Sequence, residues 1–262
     1  MKKQTILSWL TAAITFAATL VAFCLRRVQL LRELLPDGSL AEGSSLWLFL
    51  AVLSGVFVVA LVALLLPMEK LPRSRDVFTV SALPNLLQIL AAAALLAGNI
   101  LLLFGGSVET PVVNVGLSKA LTFLLPLLGI AAAICLAAFA VICSGGRAPS
   151  PLLFMCTTVY LAIRLLIQFQ RWNADPSIHD YCYSFLAAIF GMLAAFYLAG
   201  FGFDKGKRRI TLFWTLSALV FFSIQFADAL HSGVTSDILI GGALLLTMAI
   251  NGGRLLFGKA EH

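Results

Sequence analysis

Residues Ser45–Leu66 read SLWLFLAVLSGVFVVALVALLL. This stretch contains no charged side chain, and its length matches the ~20 apolar residues that an α-helix needs to cross the hydrocarbon core of a bilayer. The apolar residues follow one another without the alternation of polar and apolar positions that a membrane β-barrel strand shows. The stretch therefore predicts a transmembrane helix.

Seven further stretches of the chain have the same character. The eight predicted spans are Ile6–Leu25, Ser45–Leu66, Leu83–Phe104, Leu117–Cys143, Leu152–Arg171, Tyr183–Phe203, Ile210–Leu230 and Ser236–Phe257. With 61% hydrophobic and 11% charged residues, the chain holds more apolar side chain than one water-soluble core of 262 residues could bury. We predict an all-α, polytopic integral membrane protein in which residues 1–262 form a single membrane domain.

Part of the sequence that includes most of this first stretch is repeated, in related form, later in the chain. Trp47–Ala93 aligns with Tyr183–Ala229 at a constant offset of 136 residues, and 12 of the 47 aligned positions are identical. A second, shorter match has a different offset: SGGR at residues 144–147 is similar to NGGR at residues 251–254. The matches predict two parallel four-helix repeats, residues 1–147 and 148–262, related by a pseudo-twofold axis along the membrane normal.

Small residues recur on one face of each copy. They are Ala51, Gly55 and Ala63 in the second span, and Ala187, Gly191 and Ala199 in the sixth. Small side chains at this spacing let helices approach closely in lipid, and we expect the two faces to pack in equivalent environments. Each Gly-Gly-Arg tract is expected to end a helix and to place an arginine at the inner surface.

Basic residues are distributed unevenly between the two sides of the membrane. With the N-terminus inside, the inner side holds Lys2, Lys3, Lys70, Arg73, Arg75, Arg147, Lys205, Lys207, Arg208, Arg209, Arg254 and Lys259. The outer side holds Arg26, Arg27, Arg32, Lys119 and Arg171. This excess of 12 against 5 follows the positive-inside rule and predicts a multi-pass protein of the cell membrane with both termini cytoplasmic. The net charge of +6 follows from this topology and does not indicate nucleic-acid binding.

Polar residues concentrate in the fifth and seventh spans. Tyr160, Arg164 and Gln168 share one helical face, and Gln225, Asp228 and His231 follow one another at spacings of three. Arg164 and Asp228 lie at similar depth when residues are counted back from the outer ends. Because an unpaired charge inside a bilayer costs ~2.5–3.5 kcal/mol even on lenient scales, we expect these two to pair directly or to share a ligand or water.

Asn99 and Tyr183 lie at a comparable depth in the third and sixth spans. The predicted binding site is an outward-opening pocket formed by Arg164, Gln168, Asp228, His231, Gln225, Tyr160, Asn99 and Tyr183. The nearby span ends and outer loops add Asp175, His179, Asp180, Tyr181 and Asp237. The position that aligns with Asp228 is Ala92, which favours a single site over a symmetric pore. The alternative is that the arginine and the aspartate only hold two helices together.

Other polar residues carry weaker predictions. Asn85 and Gln88 form a second polar spot near the inner face, as interfacial caps or as part of an inner gate. Cys24 and Cys182 fall near the outer side and would pair in an oxidising exterior. A zinc or manganese site formed by His179, Asp180, Asp228 and His231 remains an alternative, although no residue is assigned as a metal ligand.

Several motifs of catalysis and cofactor binding are absent from the sequence. There is no Walker loop, HExxH, GxSxG or dinucleotide glycine motif. Three histidines are too few for a multi-haem cytochrome, and the last spans contain no lysine that could bind retinal. We therefore assign no cofactor and no catalytic residue, and we do not favour an enzyme.

The second half of the chain carries one resemblance. Arg171-Trp172, Asp175-Pro176 and Asp180-Tyr181-Cys182 resemble uncharacterised multi-pass membrane proteins of Gram-positive bacteria, and the resemblance implies no activity. The compact chain and its short loops are also typical of a bacterial protein.

Three functional hypotheses follow. The first is a small permease-like transporter or channel component that binds a small polar or anionic solute in the outward-facing pocket. The second is a non-transporting membrane sensor or a subunit of a larger membrane complex. The third is an intramembrane metal or acid–base enzyme. Expected partners are membrane lipid, the solute, and either another membrane protein or further copies of this chain.

Overall fold

The structure is a computed structural model that describes residues 2–34, 44–68, 78, 82–104, 119–147, 149–172, 178–203 and 205–258; at 2–3, 119–122, 171–172 and 178–181 it describes the backbone alone. Its helices are α1 (Lys2–Arg32), α2 (Ser45–Leu65), α3 (Ala82–Phe104), α4 (Lys119–Ser144), α5 (Leu152–Trp172), α6 (Ile178–Gly202), α7 (Arg208–Ser232) and α8 (Thr235–Phe257). All eight are long and apolar enough to cross a membrane. Within the described part of the chain, the number of such helices matches the eight predicted spans, and α1 continues about two turns beyond its predicted end.

Helices α3 to α8 form a closed ring in the order of the sequence. Each packs against the next, and α8 packs in turn against α3. At one end of the ring α3, α5 and α7 finish while α4, α6 and α8 begin. We call this the Asp228 end and the opposite end the Arg254 end.

The other two helices lie outside the ring. Helix α1 packs against α7, where the Ser223 hydroxyl donates to the carbonyl oxygen of Thr19 at 3.2 Å and the Phe23 ring stacks on Phe226. Helix α2 packs against α1 and touches α7. As a result α7 is the most enclosed helix, with 72% of its central segment buried against 28% for α2.

The two halves of the chain do not pack alike. Helix α6 packs extensively against α7, whereas α2 has no extensive contact with α3 in the part of the chain that the structure describes. Gly191 on α6 is buried against Phe222, while the space beside Gly55 on α2 is open. The expectation of equivalent environments for the two small-residue faces is therefore wrong, and the four-plus-four repeat stays a prediction.

Two glycines with positive φ shape the helix ends. Gly146, at φ 68°, ends α4 and donates its N–H to the carbonyl oxygen of Cys143 at 3.1 Å, which confirms the helix stop predicted for residues 144–147. Gly233, at φ 69°, lets α7 turn directly into α8. The second tract, residues 251–254, lies inside α8, so a stop at that position was a wrong expectation.

A buried polar network joins α3 to α8 near the Arg254 end. The Gln88 amide donates to the Thr247 hydroxyl, and the Asn251 amide donates to Gln88, both at 3.2 Å. The Arg254 guanidinium donates to the Asn85 side-chain oxygen. Asn85 and Gln88 thus link α3 to α8. Buried polar groups must find hydrogen-bond partners within the protein. Both side chains make contacts between helices, so the expectation that they act as interfacial caps is wrong.

The five cysteines are free thiols. Cys24 is exposed and Cys182 is half-buried, and no disulfide joins them. The packing of α1 to α8 therefore depends on no covalent cross-link among these residues.

The difference between the two small-residue faces predicts a difference in stability. A methyl group added at Gly191 would lie 2.6 Å from Cζ of Phe222, a side chain that is itself buried. We expect Gly191→Val to lower the free energy of unfolding by about 1–3 kcal/mol through overpacking. Gly55→Val is the matched control, because its added atoms enter open space. Melting temperatures in detergent would contradict the packing described if both variants lost the same stability.

Candidate functional site

The ring encloses a cavity of about 310 Å³ at its Asp228 end. All six ring helices contribute to the lining, which consists of Leu102, Leu125, Tyr160, Arg164, Ile167, Gln168, Ser184, Gln225, Asp228, Ala229, Ser232, Asp237 and Ile240. Ser232 is exposed at the end of α7, so the cavity reaches the surface of the bundle at this end. Its size is at the small end of the range for ligand pockets, roughly 300–1,000 Å³.

Helix α5 places a cation on the cavity wall. Tyr160, Arg164 and Gln168 are spaced by four residues, and all three line the cavity, as their shared helical face predicted. Arg164 is half-buried, and its Nη1 lies 3.4 Å from the Tyr160 hydroxyl oxygen. Among the described residues no carboxylate lies within ion-pair distance of Arg164. Within the described part of the chain, the guanidinium is therefore not engaged in an ion pair.

Asp228 pairs with an arginine from a different helix. Arg26 Nε donates to Asp228 Oδ1 at 2.6 Å, and the Arg26 side chain is 3% exposed. A direct pair between Arg164 and Asp228 was the wrong prediction. The physical reason is that α1 continues past its predicted end and packs against α7, which carries Arg26 to the aspartate. Because both Arg164 and Asp228 line the cavity, a shared ligand stays a prediction.

Hydrogen bonds hold Arg26 in place. Its Nη1 donates to the Gln29 side-chain oxygen at 2.9 Å, and the Gln29 amide donates to the Ser44 hydroxyl at 3.1 Å. The Ser44 hydroxyl donates to Glu33 and accepts the backbone N–H of Trp47 at 3.0 Å, so it also caps α2. The network links α7, α1 and α2 in one chain of contacts behind the cavity.

Charges on the wall are mixed. Asp237, in the first turn of α8, adds a second carboxylate to the lining, where the positive end of the helix dipole favours a negative charge. Since Arg26 offsets the charge of Asp228, the other charged side chains among the described lining residues are the cation of Arg164 and the anion of Asp237. An acceptor atom, Gln168 Oε1, is buried at this wall without a hydrogen-bond partner.

The structure brings together five of the eight predicted site residues. Tyr160, Arg164, Gln168, Gln225 and Asp228 all line the cavity. The cavity is therefore lined by the three polar residues predicted on α5 and by two of the three predicted on α7.

The other three lie elsewhere. Asn99 is fully buried and donates its amide to the carbonyl oxygen of Leu95, because α4 approaches closely through Gly129. Tyr183 is buried beneath Arg26, whose Cζ lies 5.8 Å from the ring centroid. His231 is exposed on the last turn of α7, outside the lining. The prediction compared only how far each residue lies from the outer end of its span. Whether a side chain reaches the cavity also depends on the rotation of its helix about the helix axis.

Sequence reasoning missed the partner of Asp228. Arg26, Gln29 and Glu33 follow one another at spacings of three and four, which places them on one face of a continued helix. This polar face at the end of an apolar span was the signal that could have identified Arg26. Ser184 and Ser232, also missed, carry no pattern that distinguishes them from other serines.

The residues considered for a metal site are only partly described. The side chains of His179 and Asp180 lie outside the described residues, and so do Asp175 and the side chain of Tyr181, which the sequence placed near the pocket. Within the described part of the chain, no three His, Cys, Asp or Glu side chains are grouped closely enough to hold a metal ion.

Comparison with known protein families, with curated proteins and with solved structures finds no match to this chain.

The ion pair between Arg26 and Asp228 predicts strong energetic coupling. The test is a double-mutant cycle of Arg26→Gln and Asp228→Asn. Each single change leaves the other, still charged, side chain without its partner, so we expect a coupling energy of about 1–3 kcal/mol. A cycle of Arg164→Gln and Asp228→Asn is the control, because no ion pair joins these side chains, and its coupling energy should be smaller. Unfolding by a denaturing detergent measures both. A larger coupling in the Arg164 cycle would refute the pairing described.

Proposed function

We propose that the chain is a small permease-like transporter that binds a small polar or anionic solute in the cavity at the Asp228 end. The observation that carries the proposal is Arg164, a half-buried cation on the wall of a cavity with no carboxylate partner among the described residues. Ionisable groups inside membrane domains usually serve a solute or ion pathway, because an isolated charge there is expensive.

The lining supports a particular class of solute. Arg164 would bind a carboxylate or another anionic group through its planar fork of donors, with Tyr160 holding the guanidinium in position. Asp237, near the exposed end of the cavity, would contact a cationic group on the same molecule. A cavity of about 310 Å³ accommodates a molecule of the size of an amino acid. Amino-acid zwitterions therefore fit both the charges and the volume.

Movement of the solute would require a rearrangement of the ring. The Arg254 half is filled by the polar network of α3 and α8 and by large buried side chains such as Phe139, Leu198 and Leu212. We propose that the structure represents a state open at the Asp228 end, and that opening at the Arg254 end would separate α3 from α8. Alternating access of this kind is the usual mechanism of small permeases.

The orientation and the repeat belong to the same proposal. The charge bias supports an Asp228 end that faces outward and termini that are cytoplasmic. We propose that the four-plus-four repeat reflects duplication of an ancestral unit whose copies now pack differently. A four-span relative that matches both halves would support this origin, and relatives whose halves do not align would argue against it.

A second candidate function is a membrane sensor that binds the same solute without transporting it. Its support is the packed Arg254 half of the bundle, which leaves a binding cavity without a passage. Uptake into proteoliposomes distinguishes the two functions, because a sensor would bind the solute and accumulate none inside the vesicles.

Binding should depend on the cavity arginine. We expect an amino acid or small carboxylate from a screening panel to raise the melting temperature of the detergent-purified protein. Arg164→Gln should weaken that ligand by about 10- to 100-fold, because it removes a charge-assisted hydrogen bond. The matched control is Arg147→Gln, an exposed arginine just beyond α4 at the other end of the bundle. Equal affinity in wild type and Arg164→Gln would refute the role of the cavity.

Orientation is tested with a matched pair of serines. Ser232 at the end of α7 and Ser144 at the end of α4 are both exposed, at opposite ends of the bundle. In a background without native cysteines, Ser232→Cys should react with a membrane-impermeant thiol reagent on intact cells, and Ser144→Cys should react only after permeabilisation. The reverse pattern would invert the topology. A bound solute should also slow the labelling of Ser232→Cys, because this position lines the cavity.

A further inference from the structure

A groove of about 430 Å³ lies between the start of α3 and the end of α8, at the Arg254 end. Its walls are mostly apolar and include Leu83, Leu87, Ile250 and Phe257. Leu83 is 65% exposed and Phe257 is 45% exposed, so the groove opens on the outer surface of the ring, where lipid surrounds the protein. It is separate from the cavity at the Asp228 end and shares no residue with it.

One wall of the groove contains a buried cation. Arg254 is 8% exposed and lies in the last turn of α8. One nitrogen of its guanidinium, Nη2, donates to Asn85, and its Cζ lies 5.4 Å from the centroid of the Phe139 ring. The other terminal nitrogen, Nη1, is buried, and no hydrogen-bond partner for it lies within the described part of the chain. A buried donor of this kind is costly unless an acceptor reaches it, and an anionic oxygen would be the most favourable acceptor.

The Arg254 end of the bundle is basic. It carries Arg147, Lys205, Lys207, Arg208 and Arg209, all at helix ends or connections. Arg254 lies in the last turn of α8, and basic residues at the ends of membrane-spanning helices are typically placed to reach phospholipid headgroups. An apolar groove below an arginine therefore matches a molecule with an anionic head and an apolar tail.

We propose that this groove binds one acidic phospholipid. Its phosphate accepts a hydrogen bond from the Arg254 guanidinium, which turns toward the groove when the lipid binds, and an acyl chain lies along Leu83, Leu87 and Ile250. The proposal is independent of the solute and of the transport activity. It accounts for the arginine at residue 254, which ends no helix and lies within α8.

A glycine in the groove provides a steric test. Gly253 lines the groove, and a Cβ atom added there meets nothing within 4 Å. We therefore expect Gly253→Leu to fold and to place its side chain in the groove. Gly55→Leu on α2 is the matched control, because Gly55 also has open space beside it and lies on a helix that does not form the groove.

The experiment is native mass spectrometry of the full chain released from detergent, titrated with phosphatidylglycerol or phosphatidylcholine. We expect wild type and Gly55→Leu to bind one phosphatidylglycerol about tenfold more tightly than phosphatidylcholine. Arg254→Gln should lose this preference, and Gly253→Leu should lose about tenfold in affinity for phosphatidylglycerol. Melting temperatures identify any variant that has failed to fold.

Three results would overturn the proposal. The first is equal binding of the two lipids by wild type, which would remove the role of the anionic head. The second is undiminished phosphatidylglycerol binding by folded Gly253→Leu, which would place the lipid elsewhere. The third is displacement of the lipid by millimolar inorganic phosphate, which would make the site one for a free anion.

Discussion

The absence of water inside a bilayer is the constraint on which the rest of this structure depends. A charged or hydrogen-bonding side chain between the helices must find its partner within the protein, and each such partner fixes the position of a helix. Arg26 and Asp228 show the effect most clearly, because their ion pair joins α1 to α7, the most enclosed helix of the bundle. Through Gln29 and Ser44 the same network continues to the start of α2. The two helices outside the ring are thus joined to it by polar contacts as well as by apolar packing.

Three arginines near the helix ends meet this constraint in different ways. Arg26 is paired with a carboxylate and serves the packing of the bundle. Arg164 has a tyrosine hydroxyl as its neighbour and otherwise lies beside a cavity. Arg254 donates a hydrogen bond from one nitrogen to Asn85. Among the described residues, its other terminal nitrogen has no partner, and the side chain lines an apolar groove. Because an incompletely paired cation in lipid is unfavourable, the second and third arginines mark the places where a ligand would complete the structure: a solute at one end and a lipid headgroup at the other.

Close packing distinguishes the ring from the helices attached to it. Gly191 lets α6 approach the ring of Phe222 on α7, and Gly98 on α3 lies against Ile240 and the backbone of Ser236 on α8. In contrast, α2 presents Phe49, Val52 and Val59 to its surroundings, and no side chain approaches Gly55. A ring built from both halves of the sequence places the cavity between α3, α4 and the four helices of the second half. The candidate site therefore belongs to neither proposed repeat alone.

The sequence by itself determined the elements of this protein, because a continuous apolar run has one stable form in a bilayer, a helix whose backbone hydrogen bonds are all internal. It also identified the face of α5 that carries Tyr160, Arg164 and Gln168, since residues four apart on one helix lie together whatever the surroundings. Which helices are neighbours, and how each is rotated, follows from packing in three dimensions. For that reason Asp228 contacts Arg26 across roughly two hundred residues of chain, Asn99 and Tyr183 are not part of the cavity lining, and Arg254 meets Asn85. The spacing of residues in the sequence determines where a side chain lies along and around its own helix. The order and rotation of the helices depend on packing and polar contacts between distant segments, and no local sequence pattern contains that information.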